Sequence, residues 1–330
     1  MKVLVTGVTG RVGRNMAASL LAEGREVRGL VLPDDPGLER AKEAGVECVI
    51  GSLSDPAAVA AALEGVDAIV HLGAAMLFGG DELNPTIMEA NINGTYELAH
   101  AAAKKGVSRL VFASSDEVYP SLYPKYLPID ETHPREPYNM YGVTKVTGED
   151  LLQYEYRING LPIAIARFSL VFEPWESVSP RGTLGGFLFY SASKRFIRSR
   201  AGDAFADSLV PAGQPDPDLL LPRDENGVPW MFQCADVRDI VQGLTLLLDR
   251  PEAVGQAFNL SGPAPFSYGE VIPYLADLAN LTYLDVKVPC NPIRIHHSTA
   301  KARSLLGYNP QYDIFRSIKD GLEATGGVIS

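Results

Sequence analysis

Cysteine is scarce in this chain of 330 residues: Cys48, Cys234 and Cys290 are widely spaced and form no CxxC pair. An odd, scattered set excludes a disulfide framework and reads as reduced thiols in a cytoplasmic protein. Long apolar runs are missing too. No stretch of about 18 uncharged apolar residues occurs, so no transmembrane helix and no membrane partner are expected. The first residues already read as a strand, without the charged, apolar and small-residue layout of a leader. Basic charge is in deficit, with 29 Lys and Arg against 40 Asp and Glu and a net charge of −11. That balance argues against a nucleic-acid partner, because a phosphate backbone needs a basic surface. The one basic cluster, KRFIRSR at 194–200, reads as a solvated helix face. His133, His296 and His297 show no metal-ligand spacing with Cys, Asp or Glu, and no metal is expected. A GxSxG elbow, a P-loop and an internal repeat are also absent.

What is present begins at the first residue. MKVLVTGVTGRVG is a short Val- and Leu-rich run, then glycines at 7, 10 and 13, then a helix-like stretch. It reads as a buried strand, a tight turn and a helix that starts inside the motif. Such a turn offers backbone N–H groups and the positive end of a helix dipole, which suits a pyrophosphate. Gly7 allows the sharp turn, Gly10 admits the phosphates and Gly13 lets the helix pack on the strand. Strand signals follow at 26–32, 46–50, 68–72, 109–114 and 163–168. Helical stretches lie between them at 36–44, 55–64, 86–105 and 139–159. This alternation predicts an α/β fold with a Rossmann-type, doubly wound parallel sheet.

After about residue 173 the alternation breaks, and 174–230 is rich in Pro and Gly. A helical pattern returns at 236–249 and a strand at 256–260. The expected division is a dinucleotide-binding domain over 1–173, rejoined by 236–262. A smaller, mainly substrate-binding region takes 174–235 and 263–330.

The second strand leaves the cofactor open. Its acid slot, near Val31, is apolar; Arg28 precedes it, and Asp34 and Asp35 follow it. A strand-end acid grips ribose hydroxyls, whereas an Arg suits a 2′-phosphate. NAD is the expectation, with NADP possible.

Tyr141 and Lys145 stand i, i+4 at the start of a predicted helix, on one face. A neighbouring ammonium favours the phenolate, so the Tyr can take a proton from a substrate hydroxyl while hydride leaves the same carbon. The fifth strand runs into Ser114-Ser115-Asp116-Glu117-Val118-Tyr119. A polar strand end of this kind points into the ligand crevice of a parallel sheet.

The glycine turn, the strand-end Ser before a Val-Tyr pair, the Asn91-Ile-Asn-Gly94-Thr95 segment and the Tyr141–Lys145 pair occur in a telling order. Together they resemble the extended short-chain dehydrogenase/reductase family, in its NAD-dependent sugar epimerase and dehydratase branch. The resemblance implies that Ser115, Tyr141 and Lys145 are catalytic. It implies a cofactor site of Gly7, Thr9, Gly10, Arg11, Val12, Gly13, Leu72, Gly73, Ala74, Asn91, Tyr141, Lys145, Phe168 and Ser169. Asp116 and Glu117 resemble the acid–base pair with which the family's sugar dehydratases eliminate water. The expected partner is a small sugar-type substrate: a sugar, a sugar acid or a nucleotide sugar. The expected assembly is a homodimer through helices 86–105 and 139–158. A carbonyl reductase or dehydrogenase of the same fold is the alternative reading, and a non-catalytic cofactor sensor a more distant one. In one respect the chain departs from nucleotide-sugar enzymes. Where they carry a leading Arg before an Asp-Val element, this chain reads Trp230-Met-Phe-Gln-Cys-Ala-Asp236-Val237. Arg181, Arg195, Arg198, Arg223 and Arg294 remain as candidate phosphate contacts.

Overall fold

A computed structural model describes residues 1–76 and 85–329. The chain divides into two compact units. The first comprises Met1–Ser169, Ile240–Leu260 and Ser298–Asn309. Its centre is a seven-stranded sheet: β1 (Lys2–Thr6), β2 (Glu26–Val31), β3 (Glu47–Ile50), β4 (Ala68–His71), β5 (Arg109–Ser115), β6 (Ile163–Phe168) and β7 (Gln256–Leu260). All neighbours are parallel, in the order β7-β6-β5-β4-β1-β2-β3. Strands covered on both faces need unbroken apolar runs. Accordingly β4 and β5 are buried from end to end.

The flanking helices are α1 (Arg11–Ala22), α2 (Leu38–Glu43), α3 (Pro56–Ala62), α4 (Gly94–Lys105) and α5 (Met140–Asn159). Asp55 caps α3 through the Ala57 N–H, with Pro56 at the first helical position, as its sequence predicts. The helix expected over 86–105 is interrupted. Pro85–Met88 is one short turn, Glu89–Asn93 is wider π-helix, and α4 follows. The interruption has a side-chain cause. Asn91 reaches the backbone of Ala75, accepting its N–H at 2.7 Å and donating to its carbonyl at 3.0 Å. A single wide turn of this kind recurs at functional sites.

The second unit comprises Leu170–Asp239, Ser261–His297 and Pro310–Ser330. Residues 298–309, expected with the substrate region, therefore pack in the first unit instead. In place of one sheet the second unit has three strand pairs: Leu170–Phe172 with Cys234–Asp236, Leu219–Arg223 with Tyr283–Lys287, and Met231–Phe232 with Phe266–Ser267. The irregular 174–230 stretch contains a twelve-residue helix, Tyr190–Ala201. Its core is aromatic, with Phe172, Phe189, Tyr190, Trp230, Phe232, Phe266 and Tyr268 all buried. Pairs this short cannot stand alone in water, so that core carries the unit.

Candidate active site

The glycine turn after β1 is backbone pressed on backbone. Gly7 has φ +66°, where a side chain is strained. A Cβ there would also lie 2.9 Å from the Gly73 nitrogen. A Cβ on Gly13 would come within 2.0 Å of the Gly7 carbonyl oxygen, so α1 rests directly on the turn. Gly10 is different: among the described residues a Cβ would meet only the Gly7 oxygen, at 3.3 Å, and otherwise open space. Arg11, Val12 and Gly13 form the first turn of α1, whose N–H groups have no helical carbonyl to bond. That turn holds no acidic residue, and Gly10 supplies no side-chain cap. A positive helix start with neither an acidic residue nor a side-chain cap from Gly10 fits a pyrophosphate.

The wall beside this cradle is fixed by a buried histidine. The Thr95 hydroxyl donates to the Asn91 carbonyl at 2.7 Å, so it accepts from His71 Nε2 at 3.0 Å. Burial pushes His71 down to about 3, with Lys145 adding to the effect. The ring is therefore neutral, and its Nδ1 accepts from the Thr6 hydroxyl at 2.7 Å. Thr6 Oγ1 in turn accepts the Gly73 N–H at 3.0 Å. One chain of hydrogen bonds thus locks the ends of β1 and β4 and the stretch Leu72, Gly73, Ala74. Leu72 adds its own N–H to the Thr6 carbonyl at 3.3 Å.

At the other end stand Ser115, Tyr141 and Lys145. Ser115 closes β5, where it pairs with Phe168 at the end of β6. Ser169, the next residue, donates its N–H to the Leu260 carbonyl at 3.1 Å. The Ser115 hydroxyl accepts the Glu117 N–H at 3.1 Å and lies 3.4 Å from Asp116 Oδ1. Tyr141 and Lys145 are one turn apart in α5, with Lys145 Nζ 5.4 Å from the Tyr141 ring centre. Lys145 Nζ also donates to the Ala113 carbonyl at 2.8 Å. Asn91, besides holding Ala75, donates to Thr144 Oγ1 at 3.1 Å. Thr144 in turn bonds the Tyr141 carbonyl, so Asn91 ties the wall to the helix that carries Tyr141.

The electrostatics of this corner differ from the sequence expectation. Tyr141 is pushed up, first by burial and then by Glu117 and Asp116, and does not sit as a phenolate. Lys145 is pulled down by burial to about 8, with Glu149 opposing the shift. Burial and Glu117 push Asp116 up to about 8, and burial raises Glu117 too. Asp116 is thereby poised to hold a proton near neutral pH, with Glu117 shifted in the same direction beside it.

Sequence reasoning left several residues of this region unassigned. Asn139 is the N-cap of α5 and also bonds Glu117; a cap residue immediately ahead of a predicted helix was the available signal. Glu149 is buried on α5 beneath Lys145 and bonds both Ser114 and Arg167. No local pattern announces that pairing.

At the adenosine end, Arg28 does not stand free for a 2′-phosphate. It is buried, with Nη2 on Glu47 Oε1 at 2.8 Å and Nη1 on the carbonyls of Ala62 and Glu64. Asp35 accepts from Thr9 Oγ1 at 2.7 Å and from the Gly37 N–H at 2.8 Å. Asp34 is exposed.

The sheet order and the glycine turn that leads into α1 define a dinucleotide-binding protein of the Rossmann type. Residues 3–261 match the model of the NAD-dependent epimerase/dehydratase family. The chain belongs to that family: it is an enzyme of this class, and NAD is the family's cofactor. A crystal structure of a short-chain dehydrogenase/reductase superfamily protein from Agrobacterium tumefaciens, with bound NAD, superposes with a TM-score of 0.88. That protein is 34% identical, with 99% of this chain and 97% of the other covered. An uncharacterized UDP-glucose epimerase of Bacillus subtilis is 28% identical over 98% of this chain and 96% of its own. The uronate dehydrogenase of Pseudomonas putida is 32% identical over 171 residues, which are 52% of this chain and 61% of that protein. No helix among the described residues is long and apolar enough to cross a membrane.

Proposed function

We propose that this enzyme epimerises a sugar-type substrate by oxidising a secondary alcohol and re-reducing the ketone on its other face, with Tyr141 as general base. The observation that carries the reading is the Tyr141–Lys145 pair, one turn apart on a helix capped against the turn that follows Ser115. When bound, NAD accepts and returns hydride. The Tyr141 phenolate oxygen takes the alcohol proton, and the Ser115 hydroxyl bonds the reacting oxygen. Burial holds the unliganded Tyr141 in its protonated form. A bound nicotinamide would add its positive charge to that of the Lys145 ammonium, and both would favour the phenolate. The base is thus charged when the cofactor is in place. Gly7, Gly10 and the first turn of α1 hold the pyrophosphate, and residues 72–74, Phe168 and Ser169 form the walls. The substrate is a sugar, a sugar acid or a nucleotide sugar; the full-length likeness to a UDP-glucose epimerase favours the last.

A second reading, oxidation of a free sugar or sugar acid, is favoured by the state of three of the five candidate arginines in the second unit, Arg181 and Arg195 being the other two. Arg223 is paired with Asp285 and Arg294 with Asp224, at 2.6 and 2.7 Å. Arg198 is paired with Asp203 and Asp207. None of the three stands free for a diphosphate. One experiment separates the readings: incubation with NAD and a panel of nucleotide sugars and uronic acids. A changed sugar configuration without accumulating NADH supports the epimerase. Stoichiometric NADH from a uronic acid replaces it with the dehydrogenase. Pairing of two copies is part of the proposal: Tyr96 on α4 and Val143, Tyr154 and Ile158 on α5 are large apolar side chains left exposed. An exposed apolar stripe of that kind suits a partner surface.

A further inference from the structure

We infer that Asn139 is a positioning residue, coupling the start of the helix that carries Tyr141 to the carboxylate of Glu117. The inference rests on the proposed role of Tyr141. A single amide side chain makes both contacts. Its Oδ1 accepts the Gly142 N–H at 2.7 Å and its Nδ2 donates to Glu117 Oε2 at 2.8 Å. Using both ends of the amide fixes its orientation, because a flipped Asn would face a donor with a donor and an acceptor with an acceptor. Capping α5 needs only the oxygen, so Ser, Thr or Asp would serve that purpose equally well. The nitrogen therefore does something beyond capping.

Its partner lies in a continuous chain. The Glu117 N–H donates to Ser115 Oγ at 3.1 Å, and Ser115 Oγ lies 3.4 Å from Asp116 Oδ1. Gly142, the residue after Tyr141, is pressed onto the same turn: a Cβ there would lie 2.3 Å from the Glu117 carbonyl oxygen. Backbone contact and side-chain bridge together hold Tyr141 in register with Ser115. A misplacement of about 1 Å in such a pair costs on the order of a hundredfold in rate. The titratable groups facing Glu117 are Asp116 on its own turn and Tyr141 from α5. Against the burial that raises Glu117, the Asn139 bond is the opposing influence. Losing it lets Glu117 take up a proton at higher pH and swing away from Asn139.

The test is Asn139→Ser, which keeps an N-cap oxygen and removes the nitrogen. The expected result is a kcat about tenfold or more below wild type, with KM within about threefold, a melting temperature lowered by only a few degrees and NAD still retained. The acid limb of the kcat/KM profile should also move to higher pH. Should the Ser variant fail to fold, Asn139→Asp, an equally strong cap that sets a second carboxylate against Glu117, carries the same test. A folded variant with kcat within twofold of wild type and an unmoved acid limb overturns the inference. Tyr141→Phe is run beside it. A dead Tyr141→Phe with a wild-type-like Asn139→Ser defeats the inference alone, whereas an active Tyr141→Phe defeats the reading of the base.

Discussion

The two ends of the candidate cofactor site are built from different materials. The phosphate end is backbone: Gly7 meets Gly73, and Gly13 meets Gly7, at distances where a Cβ on Gly7 or Gly13 does not fit. The end proposed as catalytic is side chains, and most of them are titratable and displaced from their ordinary ranges. Tyr141, Asp116 and Glu117 are pushed up and Lys145 down, with burial the leading cause in each case. The difference matches the two tasks. Binding a pyrophosphate needs fixed donors that never change state, which peptide N–H groups provide at no cost in pKa tuning. Moving a proton needs groups whose state can change near neutral pH. A substitution at the first end should act through geometry, and one at the second through charge.

The largest effect should come from removing the proposed base. Tyr141→Phe deletes one oxygen from the catalytic end and leaves the cradle alone. A loss of about 10²–10⁴ in kcat is expected from the absence of a general base. NAD affinity, measured by fluorescence or calorimetry, should stay near wild type. A parallel loss of NAD binding would mean that the two ends are not separable.

Next comes the backbone end. Gly13→Ala places a methyl 2.0 Å from the Gly7 carbonyl oxygen, so α1 must move off the turn. Overpacking of this kind costs about 1–3 kcal/mol, and here it opens the cradle as well. The variant should melt at a lower temperature and fail to retain NAD. Enzyme that still turns over after saturation with NAD would show that the catalytic end survives, which is the contrast claimed.

The pH dependence of stability sharpens the comparison at a single carboxyl. Asp116 stands near 8 folded, against 3.8 as its ordinary value. Between those values the folded chain binds a proton that the unfolded chain has released. Stability contributed by the protonated group is thus full below about pH 4 and is lost as pH rises toward 8. Asp116→Asn cannot ionise and escapes that loss. Its stability relative to wild type should increase from pH 5 to pH 8, by at most about 1.4 kcal/mol per pH unit. Urea midpoints at the two pH values measure it. No change in the difference between the variants would mean that Asp116 is ionised in the fold.

How much of this could be read from the residues depends on how local each cause is. The strand–turn–helix at 1–22, the parallel sheet and the apolar strand runs follow from periodicity and glycine placement within short windows. The wide turn at Glu89–Asn93 does not, because its cause is Asn91 bonding Ala75 across 16 residues. Nor does the second unit, where Leu219 pairs with Tyr283 at a distance in sequence that no window spans. The tyrosine–lysine pair was legible as chemistry and its state was not. A neighbouring ammonium suggests a lowered Tyr pKa, yet burial and two carboxyls outweigh it in the fold. The 2′-phosphate question turned on Arg28, whose partners Glu47, Ala62 and Glu64 are visible only once β2, β3 and α3 are packed.

The smallest effect should come from a side-chain bond at the edge of the backbone end. Thr9 Oγ1 donates to Asp35 Oδ2, and Asp35 Oδ1 accepts from the Gly37 N–H. Asp35 is thus held by two donors and braces the loop after β2 against the glycine turn. Gly37 is packed there so closely that a Cβ would lie 2.8 Å from the Thr9 Cβ. Thr9→Val keeps the shape and removes one hydrogen bond to a charged acceptor, worth about 1.5–3 kcal/mol where buried and less at this half-exposed position. Because Val fills the same space, the glycine turn keeps its geometry and the pyrophosphate its donors. NAD should bind a few-fold more weakly, with kcat at saturating NAD unchanged. A fall in kcat at saturation would mean that this bond reaches the catalytic end, and that the division between a geometric end and an electrostatic one is drawn in the wrong place.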